Sequence, residues 1–201
     1  FLNETALKTY SPKFLKILNE IDGGDGLHLI YSQFRTLEGI GILQLVLEAN
    51  GFVQFKIAKN KKKEWYVVPT EEGKQTYTLY TGTESVEEKE IIRNIFNNSW
   101  DLVPDTIVNQ LKKKMGDKLD NKHGEIIKVF MITSAGAEGI SLHNVRYVHI
   151  VEPYWHAVRM EQVIGRARRI CSHQNLPKKE RKVDVNLYLM TFTDEQIKTD
   201  L

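Results

Sequence analysis

Short apolar runs alternate along this chain with segments of helical periodicity, and this alternation limits the folds open to it. The strand-like runs occupy residues 27–31, 75–80, 126–132, 145–151 and 183–192. Apolar runs separated by helical patterns are typical of repeated β-α units around a largely parallel sheet. We therefore predict an α/β fold, and 201 residues are enough to bury a sizeable core.

Two segments interrupt the β-α pattern. Residues 52–57 and 65–68 resemble strands that flank a charged stretch, which predicts a β-hairpin insertion near residues 52–74. The lysines in that stretch can contact phosphate, although a solvated turn is the favoured interpretation of such a charge run. A short amphipathic helix with three lysines predicts a helical insertion near residues 98–124.

Local signals mark two helix boundaries. Apolar residues at helical spacing predict a helix from about residue 33 to residue 49, with Asn50 and Gly51 as its stop signal. Ser85 and Glu88 have the capping-box spacing, which predicts the start of another helix.

Bulk composition excludes several classes of function. Lysine and arginine total 28 against 26 acidic residues, so the net charge of +2 identifies no nucleic-acid partner and any basic site must be local. The single cysteine, Cys171, excludes a disulfide framework and a multi-cysteine zinc site, and the histidine spacing predicts no metal site. No apolar run approaches the roughly 18 to 20 residues that span a bilayer, so we expect no membrane partner.

A glycine-bearing segment, residues 133–142, directly follows one of the strand-like runs. Small residues at the carboxyl end of a strand let the backbone approach a ligand, and α/β sheets place their ligands at that edge. The segment lacks the GxxxxGK[ST] pattern of a P-loop, which occurs nowhere in the chain. By itself the segment is compatible with a phosphate-bearing ligand or with a simple tight turn.

An arginine-rich segment, residues 161–170, is predicted to be helical. Arg166 and Arg169 are three residues apart and are expected on one face, whereas Arg168 is rotated away. Two guanidinium groups on one face can converge on a polyanion. The alternatives are a solvated basic helix face and phosphate contacts to nucleic acid without catalysis.

The order of these segments resembles a known family. The glycine-bearing segment, a second strand, and the pattern Gln162-x-x-Gly165-Arg166-x-x-Arg169 resemble motifs V and VI of superfamily 2 helicases and translocases. The run RARRI is most similar to Snf2-like ATPases, and residues 27–35 resemble the motif IV strand and turn. The segments AGAEGIS and RRICSH are most similar to helicase-like ATPases of large cytoplasmic DNA viruses, including transcription-associated members.

The resemblance implies a RecA-like three-layer α/β/α domain with a mostly parallel sheet, spanning residues 1–201 and carrying both insertions. In this family two RecA-like lobes clamp ATP between them, and the first lobe carries the P-loop and the magnesium-binding acidic motif. Because this chain has neither motif and begins at Phe1, we expect it to be the second lobe of a longer chain, inactive alone. ATP and Mg²⁺ are then held mainly by the N-terminal lobe.

The resemblance also implies roles for individual residues. The catalytic residues, arginine fingers that reach the γ-phosphate of ATP, are expected to be Arg166 and Arg169. Nucleotide binding and its coupling to motif V are expected to involve Gln162, Gly165, Gly136, Glu138 and Gly139. The nucleic-acid backbone is expected to be contacted by Ser32, Gln33, Arg35, Thr133, Ser134 and Ser141.

These roles imply the C-terminal lobe of a nucleic-acid-dependent ATPase motor, a helicase or translocase. The expected partners are the DNA or RNA backbone, the N-terminal lobe of the same parent chain and transcription machinery. The expected location is intracellular, in the cytoplasm or the virion if the protein is viral. The alternative is a non-catalytic RecA-like module that binds nucleic acid or a transcription partner.

Overall fold

The computed structural model describes residues 1–36, 39–82, 84–134, 139–154, 156–191 and 197–198. Within these ranges the α-helices are α1 (Glu4–Tyr10), α2 (Pro12–Gly23), α3 (Ile40–Ala49), α4 (Val86–Phe96), α5 (Asp105–Met115) and α6 (Ala157–Ala167). The strands are β1 (Leu27–Ser32), β2 (Val53–Gln54), β3 (Ile57–Lys59), β4 (Trp65–Val67), β5 (Thr76–Tyr80), β6 (Val129–Thr133), β7 (Val145–Ile150) and β8 (Asp184–Leu187). Short 3-10 helices lie at Trp100–Leu102 and Lys178–Glu180. Among the helices in these ranges, none is long and apolar enough to cross a membrane.

The strands form one main sheet and one separate hairpin. The main sheet has the order β2-β5-β6-β1-β7-β8, and every neighbouring pair in it is parallel. β3 and β4 pair antiparallel outside this sheet. The predicted α/β fold, its parallel sheet and its hairpin are therefore confirmed.

Helices cover both faces of the main sheet, which explains the continuous apolar runs. Leu29 of β1 belongs to the same apolar cluster as the buried sides of α4, α5 and α6. Its neighbour Ile30 belongs to a second cluster, with the buried sides of α2 and α3. All residues of β1 and β6 are buried, because these central strands are covered on both faces. The fold therefore has the three expected layers.

Two element boundaries differ from the sequence expectation. α3 begins at Ile40, later than predicted, and the N–H of Ile40 donates to the carbonyl of Phe34 (3.0 Å). The strand predicted over residues 52–57 divides into two. β2 pairs with β5, and the N–H of Phe55 still donates to Tyr77 (2.8 Å) before β3 leaves the sheet to pair with β4.

The local helix signals are confirmed where the structure describes them. Ser85 Oγ accepts from the N–H of Glu88 (3.2 Å), which caps the first turn of α4 at its predicted start. Asn50 follows the last residue of α3, and Gly51 then adopts a φ of +92°, where a side chain is disfavoured. α3 therefore ends where its stop signal predicts.

Candidate nucleotide and nucleic-acid site

The carboxyl edge of the main sheet brings the motif-bearing segments together. β1 and β6 are parallel neighbours, and their register pairs Ser32 with Thr133, the last residue of each strand. β5 and β7 end at the same edge, at Tyr80 and Ile150. The turns that follow these four strands therefore lie side by side, at the edge where α/β sheets bind ligands.

Three of the motif VI residues lie on α6, and the fourth lies beyond its end. Gln162, Gly165 and Arg166 are within the helix, which ends one residue after Arg166. The expectation that Arg166 and Arg169 share one helix face is therefore wrong. Ser172 Oγ donates both to the last helical carbonyl (3.2 Å) and to the carbonyl of Arg169 (2.8 Å), which satisfies these oxygens without further helix.

Both arginines nevertheless contact the glycine-bearing segment of motif V. Arg166 Nη1 lies 3.5 Å from the carbonyl oxygen of Ile140, and the carbonyl oxygen of Arg166 accepts from the N–H of Leu142 (3.0 Å). Arg169 Nη1 donates to Ser141 Oγ. The structure therefore packs motif VI against motif V through the two arginines that the resemblance singles out.

The guanidinium of Arg166 has unused capacity to donate hydrogen bonds. Its Nε is buried and has no partner among the described residues. Its contact with Ile140 is at the long limit for a hydrogen bond. Because a buried donor without an acceptor costs free energy, an anionic oxygen placed beside this nitrogen would be stabilised. The Arg166 guanidinium therefore keeps a donor that the described fold does not use.

The residues predicted to couple nucleotide binding to motif V are accessible where the structure describes them. Gly139 has a φ of +73°, and a Cβ added there or at Gly165 would meet no atom within 4 Å. Gln162 is exposed on α6. Gly136 and Glu138 lie outside the described residues. The backbone at Gly139 and Gly165 can therefore be approached by another molecule.

The motif V hydroxyl groups differ in their exposure. Thr133 is buried, and its Oγ1 donates to the carbonyl of Thr81, which directly follows the neighbouring strand β5 (3.4 Å). Ser134 is exposed, and Ser141 is half-buried with its hydroxyl accepting from Arg169. Ser134 is therefore the most accessible of these three predicted nucleic-acid contacts. Thr133 instead links the ends of β6 and β5 through its hydrogen bond.

The motif IV turn is built around an acid that the sequence analysis missed. Ser32 is fully buried, and its Oγ donates to Glu152 Oε2 (2.7 Å). The N–H of Gln33 donates to the same oxygen (3.2 Å). Arg35 is exposed. Ser32 therefore holds the turn, and Arg35 is the member of this set that reaches solvent. One sequence signal for this role was available: Glu152 directly follows the apolar run 145–151, which predicts a place at the same edge of the sheet as the motif IV turn.

A second acid was also missed, in the turn after β5. The carboxylate of Glu84 accepts from the N–H groups of Thr81 (3.1 Å) and Gly82 (3.1 Å) and from the Thr81 hydroxyl (3.2 Å). These donors converge on an anion, as backbone N–H groups in turns commonly do. The Glu84 carboxylate therefore accepts the hydrogen bonds that this turn would otherwise offer to an external anion at the carboxyl edge.

Two histidines form a buried chain across the sheet with Tyr188. His28 Nδ1 and His149 Nε2 are 3.0 Å apart, and His149 Nδ1 lies 2.7 Å from Tyr188 Oη. Burial lowers the pKa of His149 to about 4, and burial together with the charge of His149 holds the pKa of His28 well below its usual value. Both rings are therefore neutral at pH 7. The described residues contain no group of three metal-ligating side chains.

Known proteins resemble this chain over most of its length. The family described as helicase conserved C-terminal domain matches residues 59–171. A putative ATP-dependent RNA helicase of Acanthamoeba polyphaga mimivirus is 32% identical over 194 residues, which are 96% of this chain and 28% of that protein. A termination factor NPH-I homolog of African swine fever virus is 32% identical over 198 residues, covering 92% of this chain and 27% of that protein.

This chain therefore spans little more than a quarter of the length of either viral relative. A solved structure, the C-terminal part of the Fun30 ATPase domain, matches 98% of this chain and 42% of that one with a TM-score of 0.45 and 18% identity. Since the helicase family matches more than half of the residues, the chain belongs to the helicase conserved C-terminal domain family of ATP-dependent helicases and translocases, with relatives in large DNA viruses.

Proposed function

We propose that this chain is the C-terminal lobe of a nucleic-acid-dependent ATPase motor and that Arg166 and Arg169 are its arginine fingers. One observation carries the proposal: both guanidinium groups meet the motif V segment at the carboxyl edge, and Arg166 Nε is buried there without an acceptor. A γ-phosphate oxygen would give the Arg166 guanidinium an acceptor once the side chain is exposed to the nucleotide. ATP and Mg²⁺ are held mainly by a separate P-loop lobe.

Arginine suits this role for a physical reason. Phosphoryl transfer spreads negative charge over the oxygens of the transferred group, and an inserted arginine stabilises that charge by about 10³ to 10⁵ in rate. The planar guanidinium offers several donors in a fixed geometry, which lysine does not. Gln162, Gly165 and Gly139 lie close in sequence to these arginines or to their partners, and we propose that they couple nucleotide binding to motif V.

The nucleic-acid path follows the same edge of the sheet. Arg35 and Ser134 are exposed there and are proposed to contact phosphates directly, whereas the buried Ser32 and Thr133 hold the turns in place. Contacts to the sugar-phosphate backbone carry no sequence information, so binding is expected to be salt-dependent and largely sequence-independent. The name of the African swine fever virus relative, a termination factor, supports transcription machinery as a partner of the whole protein.

The decisive experiment is nucleic-acid-stimulated ATP hydrolysis by the full-length protein that contains this chain. We expect Arg166→Ala and Arg169→Ala each to lower kcat by about 10³-fold or more, with nucleic-acid affinity changed only a few-fold. Arg168→Ala is the matched control, because the Arg168 side chain is exposed and makes no hydrogen bond or ion pair among the described residues. Its kcat should stay within a few-fold of wild type.

The outcomes separate the enzyme from a binding module. If Arg168→Ala is as damaging as the other two substitutions, general positive charge matters and the arginine-finger roles are wrong. If the full-length protein binds nucleic acid but hydrolyses no ATP under any condition, the chain is part of a non-catalytic binding module. This chain by itself is expected to show no ATPase activity.

A further inference from the structure

The tip of the β3–β4 hairpin, residues 59–64, is a pre-organised turn that carries four lysines, and we call it the lysine turn. Asn60 organises it from within. Asn60 Oδ1 accepts from the N–H groups of Lys62 (2.8 Å) and Glu64 (3.0 Å), and Asn60 Nδ2 donates to Glu64 Oε2 (2.9 Å). Lys63 adopts a φ of +63° to complete the turn. The backbone of the tip is therefore held in one conformation.

The lysine turn is also anchored to the body of the domain. Glu87, in the first turn of α4, accepts from Lys59 Nζ (2.7 Å) and from Trp65 Nε1 (2.8 Å). Lys59 Nζ additionally lies 4.6 Å from the centre of the Trp65 ring. From α5, Thr106 Oγ1 donates to the carbonyl of Trp65 (2.7 Å). The base of the hairpin is therefore fixed between α4 and α5.

This anchoring places the lysine turn at the carboxyl edge of the main sheet. β2 runs parallel to β5 and points its carboxyl end toward that edge, and the chain continues from β2 into β3 and the turn. α4, which holds Glu87, begins shortly after β5 ends at the same edge. The lysine turn therefore extends the row formed by the ends of β1, β6 and β5 beyond the last strand of the sheet.

The side chains of three of the four lysines have no polar partner among the residues that the structure describes. Lys59 is paired with Glu87, and Glu64 is engaged by Asn60. Lys61, Lys62 and Lys63 are exposed, and among the described residues none of their side chains forms a hydrogen bond or an ion pair. Three adjacent like charges on a fixed turn repel one another, and an external anion would relieve that repulsion.

We propose that the lysine turn binds phosphates of the nucleic-acid backbone and extends the path that the carboxyl edge provides. The proposal rests on the function proposed above. Lysine is a point charge on a flexible stem, so consecutive lysines can follow a phosphate chain without selecting a base sequence. Because the turn is outside the proposed nucleotide site, it contributes to affinity and leaves the chemical step unchanged.

A triple substitution in the full-length protein tests the proposal. Lys61→Gln, Lys62→Gln and Lys63→Gln together remove three charges without touching a contact within the fold. The matched control is the same change at Lys112, Lys113 and Lys114, in the last turn of α5. Two of these control lysines line a cavity with Thr76 and Ile126, near the amino ends of β5 and β6, so they lie at the opposite edge of the sheet.

The readout is the dissociation constant for a duplex DNA and for a single-stranded RNA of about 30 nucleotides, measured over a series of salt concentrations. We expect the lysine-turn variant to reduce the slope of log K against log salt by about 2 to 3 for duplex, since each phosphate contact contributes about 0.9. The α5 control should keep the wild-type slope. At saturating nucleic acid, kcat of the lysine-turn variant should stay within about twofold of wild type.

Each other outcome has a definite meaning. If wild type binds nucleic acid and the lysine-turn variant keeps the same slope, the lysine turn is not part of the path, although the proposed motor function stands. Equal losses in both variants would show a bulk-charge effect and overturn the proposal. Binding to polyglutamate, an acidic polypeptide, is measured alongside. If the variant loses binding to polyglutamate alone, the partner is an acidic protein segment and the proposal is also wrong. Absence of any nucleic-acid binding by wild type would instead contradict the proposed function.

Discussion

Asn121 is predicted to be the polar side chain on which the stability of the helical insertion depends most. It is fully buried, and its amide makes four hydrogen bonds to backbone groups. Nδ2 donates to the carbonyls of Phe96 (3.1 Å) and Ile127 (3.3 Å). Oδ1 accepts from the N–H groups of Ile126 (2.9 Å) and Ile127 (2.8 Å). One side chain thereby joins the end of α4 to the segment that leads into β6.

The cost of Asn121→Ala follows from the groups that it leaves behind. Ile126 and Ile127 are buried, so water cannot replace the lost acceptor of their two N–H groups. A buried polar group without a partner costs about 1 to 3 kcal/mol, and the two N–H groups therefore predict a loss of about 2 to 6 kcal/mol. Domains are commonly stable by about 5 to 15 kcal/mol, so this is a substantial fraction of the total.

The chain contains a matched control for this substitution. Asn60 in the lysine turn also uses its amide for three hydrogen bonds, but it is exposed and water can replace them. Asn60→Ala should therefore cost less than about 1 kcal/mol. Urea unfolding followed by circular dichroism measures both free energies. The reasoning is refuted if Asn121→Ala costs no more than Asn60→Ala.

Three further predictions concern the fold. Lowering the pH from 6.5 to about 4 should destabilise the chain, because His149 is neutral when folded and protonated when unfolded; His149→Gln should flatten this dependence in urea titrations. Ser85→Ala should lower the unfolding free energy by about 1 kcal/mol through loss of the α4 cap, and an unchanged urea midpoint would contradict that role. Gly24→Ala places a Cβ 2.5 Å from the His28 ring and 2.8 Å from the carbonyl oxygen of Glu20. The melting temperature, measured by circular dichroism, should therefore fall by several degrees.

The parallel sheet could be predicted from the sequence because burial on both faces leaves a direct trace. β1 and β6 are covered by helices on each side, so their residues are mostly apolar and all of them are buried. The helix cap at Ser85 was predictable for a similar reason, since the interaction lies within three residues. Local and periodic features of this kind need no knowledge of distant contacts.

The role of Glu152 in the candidate site could not be predicted in this way. Glu152 acts on Ser32 and Gln33, which are about 120 residues away in the chain. The sequence around Asn121 likewise predicts only a loop residue. Its contacts with Phe96, at the end of α4, and with Ile126, ahead of β6, are known only from the fold. Such roles depend on the register of neighbouring strands, which short sequence windows do not contain.

The end of α6 departs from the pattern that residue spacing predicts at the proposed catalytic centre. Spacing alone predicts that Arg166 and Arg169 share a helix face, yet the helix ends at Ala167, where the Ser172 hydroxyl lies 3.2 Å from the Ala167 carbonyl oxygen and 2.8 Å from that of Arg169. Arg169 then reaches motif V from a turn, and Arg166 reaches it from the helix. Because the two arginines have different supports, Arg166→Ala and Arg169→Ala test two separate contacts with motif V.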